Sequence, residues 1–210
     1  MRMSFLSNSI AACGGAIQTN NVLSDVDFDV AFNYAENIVT YLRSAYVDAY
    51  IVGGALRHKV LGGGTADVDI AILCTLREYD NVRMLLPDVF ELQHDRAYED
   101  NDGFLADYRY GDVNIIVYDE STYPTVDRLV GRFDMNINQF YLDPETDTIV
   151  NKHLVGDVVK LNPLRGMEFY RERMIDRVEK FKGRLPNLDW SDVDSRKREC
   201  ILTGYVYYEA

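Results

Sequence analysis

The chain has 210 residues, enough to bury a sizeable core and few enough for one domain, or one domain with a small helical appendage. Hydrophobic residues make up 47% of it and aromatic residues 12%, which excludes a disordered chain. The formal net charge of −12 argues against a protein that follows a long nucleic acid, because such proteins carry a basic stripe. Every apolar run is shorter than the roughly 18 residues of a membrane helix, so we expect no membrane association.

The cysteines are odd in number and widely spaced, at Cys13, Cys74 and Cys200. This pattern favours free thiols in a reducing compartment over a disulfide framework. No spacing of Cys and His resembles a zinc site. We therefore expect a cytoplasmic protein.

The first predicted element is a helix from Ser24 to Tyr46. Ser24 stands three residues before Asp27, as in a capping box, and apolar residues then recur at helical spacing. Asp25 and Asp27 belong to the first of three Asp-Val-Asp triplets in the chain. Acidic residues in a first turn favour the helix dipole, so this triplet is interpreted as a helix start.

The segment 51–73 carries the clearest functional pattern and reads IVGGALRHKVLGGGTADVDIAIL. A glycine pair separates a strand-like run from a short helical pattern, and three glycines precede a second apolar run. If that run is a strand, Asp67 and Asp69 project from the same face, because side chains two apart along a strand lie on one side. Two parallel carboxylates on a rigid strand suit hard divalent cations such as Mg²⁺.

The glycine pair, Gly53 and Gly54, predicts a second property of the same site. Glycines at a strand-to-helix turn let the backbone approach a ligand, and the helix N-terminus offers N–H groups to an anion. The pattern therefore indicates phosphate bound beside a metal. The alternative is a surface strand whose aspartates are only solvated.

The rest of the chain is predicted to form short helices and short strands. Helical patterns cover 76–86, 124–131, 163–182 and 191–208, and strand patterns cover 89–92, 104–109, 112–118, 137–142 and 148–150. Tyr110-Gly111 joins two of these strands as a two-residue hairpin turn. Because helices dominate the last fifty residues, we divide the chain into a domain over 1–160 and a helical C-terminal extension over 161–210.

The central segment resembles the head-domain signature of the class II tRNA nucleotidyltransferases (CCA-adding enzymes) and bacterial poly(A) polymerases, within the polymerase-β-type nucleotidyltransferase superfamily. The resemblance rests on Gly53-Gly54-Ala55-Leu56-Arg57, Leu61-Gly62 and Asp67-Val68-Asp69-Ile70. It implies an α+β head with a mixed sheet and flanking helices, followed by a short helical neck. It also implies that Gly53, Gly54 and Arg57 hold the triphosphate of an NTP, and that Asp67 and Asp69 bind two Mg²⁺ ions. His58 departs from the family, which usually has Asp there.

The family's third metal ligand is an acidic residue, and the corresponding position here is Asn114. An Asn carbonyl can coordinate a metal but supplies no charge. Asp112 lies on the same face of that predicted strand, and with Tyr110-Gly111 as the turn, Asp107 sits directly across from Asn114. Either aspartate could complete the metal site, or the third carboxylate is absent, and the sequence leaves these alternatives open.

Two further segments resemble family motifs. The run from Arg132 to Asn138 resembles Arg-Arg-Asp-Phe-Thr-x-Asn, which implies that Asp134 and Asn138 contact the ribose and phosphates of the nucleotide. Asn162-Pro163-Leu164-Arg165, with Arg171 beyond it, resembles the start of a family helix and implies that Arg165 and Arg171 face the triphosphate. An ordinary strand and a salt-bridged helix would explain the same residues.

The predicted function is Mg²⁺-dependent transfer of a nucleotidyl group from an NTP to a hydroxyl acceptor. The resemblance implies a tRNA-like RNA 3′ end as acceptor, although a net charge of −12 restricts binding to a short end. We expect no counterpart of the family's tRNA-binding body within these 210 residues, which leaves a protein or small-molecule acceptor open. Asn114 and His58 leave open a nucleotide-binding module with impaired catalysis.

Overall fold

The computed structural model describes residues 22–95, 103–162 and 171–195, and the side chains of the last range from 175. One seven-stranded sheet dominates it, in the order β3-β4-β5-β2-β1-β6-β7. The strands are β1 (Asp48–Val52), β2 (Val68–Cys74), β3 (Glu91–Asp95), β4 (Phe104–Tyr110), β5 (Val113–Asp119), β6 (Tyr141–Asp143) and β7 (Thr148–Val150). The helices are α1 (Asp25–Ser44), α2 (Gly54–Leu61), α3 (Tyr79–Leu85), α4 (Val126–Val130) and α5 (Arg171–Arg184), with a 3₁₀ turn over Asn136–Asn138.

The sheet is mixed, as the α+β prediction requires. The central strands β2 and β5 run parallel, and the other neighbouring strands pair antiparallel. A parallel pair needs a long connection, and here α3, β3 and β4 lie between β2 and β5 in the chain. Because β2 and β5 lie side by side in register, residues at the start of β2 face residues at the start of β5.

The predicted start of α1 is confirmed. The Asp27 amide donates to the Ser24 hydroxyl oxygen at 3.2 Å, and the hydroxyl donates to the Asp27 carboxylate at 2.6 Å. The helix then buries one side on the sheet, through Phe28, Ala35 and Leu42 among others. The first Asp-Val-Asp triplet is therefore a helix start.

The two faces of β2 serve different purposes. Ile70 and Ile72 are fully buried in the core that α1 covers. Asp69, Ala71 and Leu73 point to the opposite face, where Ala71 and Leu73 pack with α4. The site described below lies on this second face, which α4 covers only in part.

Helix α5 packs on the segment around the 3₁₀ turn and forms a second hydrophobic cluster. Val178, Phe181 and Leu185 pack against Met135, Ile137 and Val159, together with Trp190 and Val193. The helical part after α5 covers 191–195 within the described residues. The remaining parts of the two predicted C-terminal helices, over 163–170 and 196–208, lie outside the described residues, as does Arg165. No helix of the described residues is long and apolar enough to cross a membrane.

Several predicted elements differ from the structure. The strand predicted over 137–142 is a 3₁₀ turn over Asn136–Asn138 followed by β6, and the strand predicted over 89–92 is β3. The helix predicted from 76 begins at Tyr79, because Thr75 and Glu78 form a turn in front of it. The Thr75 amide donates to the Glu78 carboxylate at 3.0 Å, and the Glu78 amide donates to the Thr75 hydroxyl at 3.3 Å. The predicted hairpin is present, but its loop is Gly111-Asp112, one residue later than predicted.

Candidate active site

The structure brings Asp67, Asp69 and Asn114 together. Asp67 directly precedes β2, Asp69 lies near the start of that strand, and Asn114 is the partner of Asp69 in the parallel ladder. The Asn114 amide nitrogen, as oriented here, donates to Asp67 Oδ2 at 3.2 Å and to Asp69 Oδ1 at 2.9 Å. One amide therefore bridges the two carboxylates that the sequence places on one face.

The carboxylate pair concentrates negative charge at a site with limited access to water. Burial, and then the nearby charge of Asp67, raise the pKa of Asp69 well above its usual range. The hydrogen bond from Asn114 and the charges of Arg109 and Arg177 act in the opposite direction. The carboxylate charge is thus only partly compensated, and a bound cation would stabilise it.

The donor set fits one divalent ion. Asp67 Oδ2 and Asp69 Oδ1 both accept from the Asn114 amide nitrogen, so the two carboxylates lie close enough together to share one ion. Mg²⁺ is commonly held by one or two carboxylates, with water and substrate phosphates as its other ligands. The described residues contain no group of three or more His, Cys, Asp and Glu side chains placed to hold a metal.

The prediction that Asp107 sits directly across from Asn114 is wrong, because the hairpin register differs. Gly111 has φ +56° and occupies the first position of the loop, so Arg109 pairs with Asn114 and Asp107 pairs with Ile116. Asp107 lies on the same face of the sheet but two residues farther along β4. Its Oδ1 lies 2.9 Å from Nδ1 of His94.

The prediction that Asp112 shares a strand face with Asn114 is also wrong. Asp112 lies in the hairpin loop, where its carbonyl accepts from the Val68 amide at 2.8 Å. The residue lines a pocket against α1, together with Asp27 and Tyr34. Neither Asp107 nor Asp112 joins the two carboxylates as a third acidic ligand in the described residues.

The glycine turn lies beside the carboxylates. Gly53 has φ +76° and ψ −132°, a conformation that favours glycine, and it precedes the first turn of α2. A Cβ at Gly53 would stand 3.9 Å from Asp69 Oδ2 and 3.5 Å from the Phe133 ring. Gly54 differs, because a Cβ there would stand 3.2 Å from Thr65 Oγ1, so close packing on the following loop explains this glycine.

The predicted nucleotide-binding residues Arg57, Asp134 and Asn138 form a connected chain of side chains. The Arg57 guanidinium donates from Nη1 to Asn138 Oδ1 and from Nη2 to the Gly64 carbonyl at 3.1 Å. The Asn138 amide donates to Asp134 Oδ1 at 2.7 Å, and Arg177 Nε lies 2.8 Å from Asp134 Oδ2.

Arg57 is buried and bonded within the protein, which indicates a structural role for its side chain. The residue is only 4% exposed, and its guanidinium stacks 4.2 Å from the centre of the Phe181 ring. Arg57 therefore fastens Asn138 and the glycine loop 62–64 to α5, and its terminal nitrogens are engaged within the protein. The sequence identified Arg57 as a candidate site residue but did not predict its contacts with Asn138, Gly64 and Phe181.

Three cations of α5 were missed by sequence reasoning. Arg177, Lys180 and Arg184 are spaced along one side of the helix. Burial, and then the charges of Arg177 and Arg184, lower the pKa of Arg57 to about 10. Burial and the charges of Arg184, Arg177 and Arg57 likewise lower the pKa of Lys180, while Asp67 raises it.

These four positive groups are therefore close to one another and within electrostatic reach of the carboxylates. In a chain of net charge −12 they form a local basic cluster. The only sequence signal was the spacing of three cations within a predicted helix. Arg165 and the side chain of Arg171, which were predicted instead, lie outside the described residues.

Comparison with known proteins supports the fold. No protein-family model and no curated protein sequence matches this chain. A CCA-adding enzyme solved with ATP is 19% identical with a TM-score of 0.57, covering 90% of this chain and 48% of that one. A tRNA-processing enzyme in an apo form is 18% identical with a TM-score of 0.56, covering 89% and 50%. A tRNA nucleotidyltransferase with a primer tRNA and an incoming ATP analogue is 20% identical with a TM-score of 0.53, covering 80% and 50%.

The chain thus spans about half the length of these proteins. At 18–20% sequence identity, the similarity to these structures establishes the fold of the backbone and nothing further. The mixed sheet with its flanking helices is the α+β fold of the nucleotidyltransferase head of CCA-adding enzymes.

Proposed function

We propose that this protein transfers a nucleotidyl group from an NTP to a hydroxyl acceptor, with the help of a divalent cation. The observation that carries the proposal is the closeness of opposite charges beside the glycine turn. Asp69 lies beside Gly53 and is joined to Asp67 by the Asn114 amide, and the basic cluster of Arg57 and α5 lies within electrostatic reach of Asp67. A metal-bound triphosphate carries both kinds of charge and is complementary to such a site.

The residues of the chain have distinct tasks in this reaction. Asp67 and Asp69 would hold Mg²⁺, which neutralises phosphate charge and lowers the pKa of a bound hydroxyl. Gly53 lets a phosphate approach the start of α2, because no side chain intervenes. Lys180 and Arg184 offer charge to the β- and γ-phosphates, and Arg177 keeps Asp134 oriented near the nucleotide.

The reaction exchanges one phosphorus–oxygen bond for another. The acceptor oxygen forms a bond to the α-phosphorus while the bond from that phosphorus to the bridging oxygen of the β-phosphate breaks. Pyrophosphate leaves with the bonding electrons, and the acceptor proton passes to solvent. Positioning and electrostatic stabilisation supply most of the catalysis in reactions of this kind.

An RNA 3′ end is the acceptor we favour. Similar folds occur in a CCA-adding enzyme and in a tRNA nucleotidyltransferase that was solved with a primer tRNA. The net charge of −12 limits contact with the acceptor to its end, near the basic cluster. A protein or small-molecule acceptor is the alternative within the same chemistry.

A second candidate function follows from Asn114. Its amide presents N–H groups to both carboxylates at a position where the resembling family has a third acid. This observation favours a nucleotide-binding module that has little or no transfer activity. Both functions require NTP binding, so transfer must be measured separately.

The test uses each of the four α-³²P-labelled NTPs with Mg²⁺ and four acceptor classes: tRNA trimmed at its 3′ end, short RNA, purified protein mixtures and pooled metabolites. We expect label on the RNA fraction, and no label with Asp69→Ala. Label on protein or metabolites would instead identify the alternative acceptor. NTP binding without label in any fraction would show the impaired module, and absence of NTP binding would refute both functions.

A further inference from the structure

The position across from Asn114 carries a cation. Arg109 on β4 is the antiparallel partner of Asn114 on β5, so the two side chains lie on the same face of the sheet. The Arg109 Nε donates to the Gly111 carbonyl at 3.2 Å. Its Nη2 is buried and has no hydrogen-bond partner among the described residues. A buried guanidinium N–H without an acceptor is costly, so a bound anionic group would stabilise it.

The charge of Arg109 reaches the carboxylates. Burial raises the pKa of Asp69 and that of Asp112, and the charge of Arg109 opposes both shifts, which is consistent with its place beside Asn114. The Asn114 amide in turn contacts Asp67 and Asp69. The side chains thus form a layer in which one neutral amide contacts two carboxylates and one guanidinium, from the facing strand position, acts on Asp69 through its charge.

This layer fits one divalent ion and does not fit a second. Two divalent ions about 3.5–4 Å apart need several shared negative ligands. Here the third position is neutral, Asp107 is engaged with His94, and Asp112 lies in the hairpin loop. A second divalent ion near Asn114 would also be repelled by the Arg109 guanidinium.

We propose that this site takes a single divalent cation, bound by Asp67 and Asp69, and that Arg109 supplies the second positive charge. The inference rests on the proposed nucleotidyl transfer and specifies how its site is charged. The free Nη2 of Arg109 donates to a non-bridging oxygen of the nucleotide's α-phosphate. A fixed guanidinium provides this charge without exchange with solvent and without a third carboxylate.

The test counts ions directly, with Mn²⁺ in place of Mg²⁺. Electron paramagnetic resonance distinguishes one bound Mn²⁺ from two that are magnetically coupled at short distance. With a saturating α,β-methylene NTP analogue, we expect the wild-type protein to show one bound Mn²⁺ and no coupled signal. The Arg109→Met and Asn114→Asp double variant should take up a second Mn²⁺ and show coupling, because its site has three carboxylates and no fixed cation.

Nucleotide affinity gives a second readout. Arg109→Met should weaken binding of the analogue at least about tenfold, as expected for the loss of one charge-assisted hydrogen bond. Arg109→Lys should weaken binding less because it keeps the charge. Arg83→Met, at an exposed arginine of α3 that pairs with Asp95, is the matched control and should bind like wild type.

The outcomes separate this inference from the function on which it rests. A coupled Mn²⁺ pair in the wild-type protein would overturn the single-ion site while leaving nucleotidyl transfer intact. Unchanged analogue affinity in Arg109→Met would overturn the role of Arg109. If the analogue promotes no Mn²⁺ binding at all, the proposed function fails together with the inference.

Discussion

Replacement of Gly53 by Ala separates the two reasons for a glycine at this turn. Gly53 has φ +76° and ψ −132°, so any side chain there strains the backbone. The added Cβ would stand 3.5 Å from the Phe133 ring and 3.9 Å from Asp69 Oδ2, which are ordinary contact distances. The expected loss of stability is therefore that of backbone strain alone, about 1–3 kcal/mol. In a chain of this size each kcal/mol lowers the unfolding temperature by about 2–4 °C.

Gly62 offers a matched control at the other end of α2. It has φ +79° and ψ −148°, close to the values at Gly53, and a Cβ there meets nothing within 4 Å. Gly62→Ala should therefore lose a similar amount of stability without any effect on nucleotide affinity. Gly53→Ala should in addition bind an NTP analogue about tenfold more weakly, as expected if the methyl group displaces one phosphate hydrogen bond.

Scanning calorimetry measures the stability of both variants, and titration calorimetry with Mg²⁺ and the analogue measures affinity. If both variants bind the analogue equally well, Gly53 serves the fold and not a phosphate. If neither variant unfolds at a lower temperature than wild type, the strain reasoning is wrong.

Three other substitutions test the charges of the site. Asp69→Asn should abolish Mn²⁺ binding yet raise the unfolding temperature of the metal-free protein. The folded-state pKa of Asp69 is raised, so the wild-type protein loses stability as pH rises from the ordinary carboxyl pKa of 3.8 to that raised pKa. The stability gained by Asp69→Asn should therefore be present at pH 8 and vanish below pH 3.8. A gain that stays constant with pH would contradict this. Lys180→Met should weaken NTP binding about three- to tenfold and NMP binding little. The control Lys182→Met, at a lysine paired with Asp194, should change neither affinity. Equal effects of the two substitutions would refute the role of the basic cluster in binding phosphates. Arg177→Met should lower the free energy of unfolding in urea by about 1 kcal/mol, since its ion pair with Asp134 is partly exposed to solvent, and Arg177→Lys should restore part of that loss. No loss would show that the pair does not stabilise α5.

Local patterns made the centre of the fold predictable. The order of strand, glycine pair, helix and second strand follows from spacing alone, and the alternation of a strand puts Asp67 and Asp69 on one face. The parallel pairing that brings Asn114 to them is a long-range feature. The resemblance to a known family, and not the hydrophobic pattern, indicated it in advance.

The hairpin register shows where sequence reasoning fails. Tyr110-Gly111 and Gly111-Asp112 are both acceptable two-residue loops. In the structure Gly111 takes the positive φ at the first loop position, as in a type II′ turn, so the loop lies one residue later and each β5 residue pairs two residues farther along β4. That shift exchanges Asp107 for Arg109 beside Asn114 and so changes the sign of the charge there.

The cations of α5 show a different limit. Three basic residues at helical spacing are common on solvated helices, so the pattern alone indicates no site. Only tertiary packing through Phe181 turns this side of the helix toward Arg57. A long-range contact of this kind leaves no periodic trace in the sequence.

The parallel pairing of β2 with β5 has a consequence for folding. Asp69 and Asn114 are 45 residues apart in the chain, so their contact forms only after a long loop closes. Strand β2 is also flanked by β5 on one side and β1 on the other, and Ile70 and Ile72 within it are fully buried. Its amide hydrogens should therefore exchange with solvent only when the whole domain unfolds. The carboxylate pair thus stands on the slowest-opening part of the molecule, and local fraying at the sheet edges will not open the site.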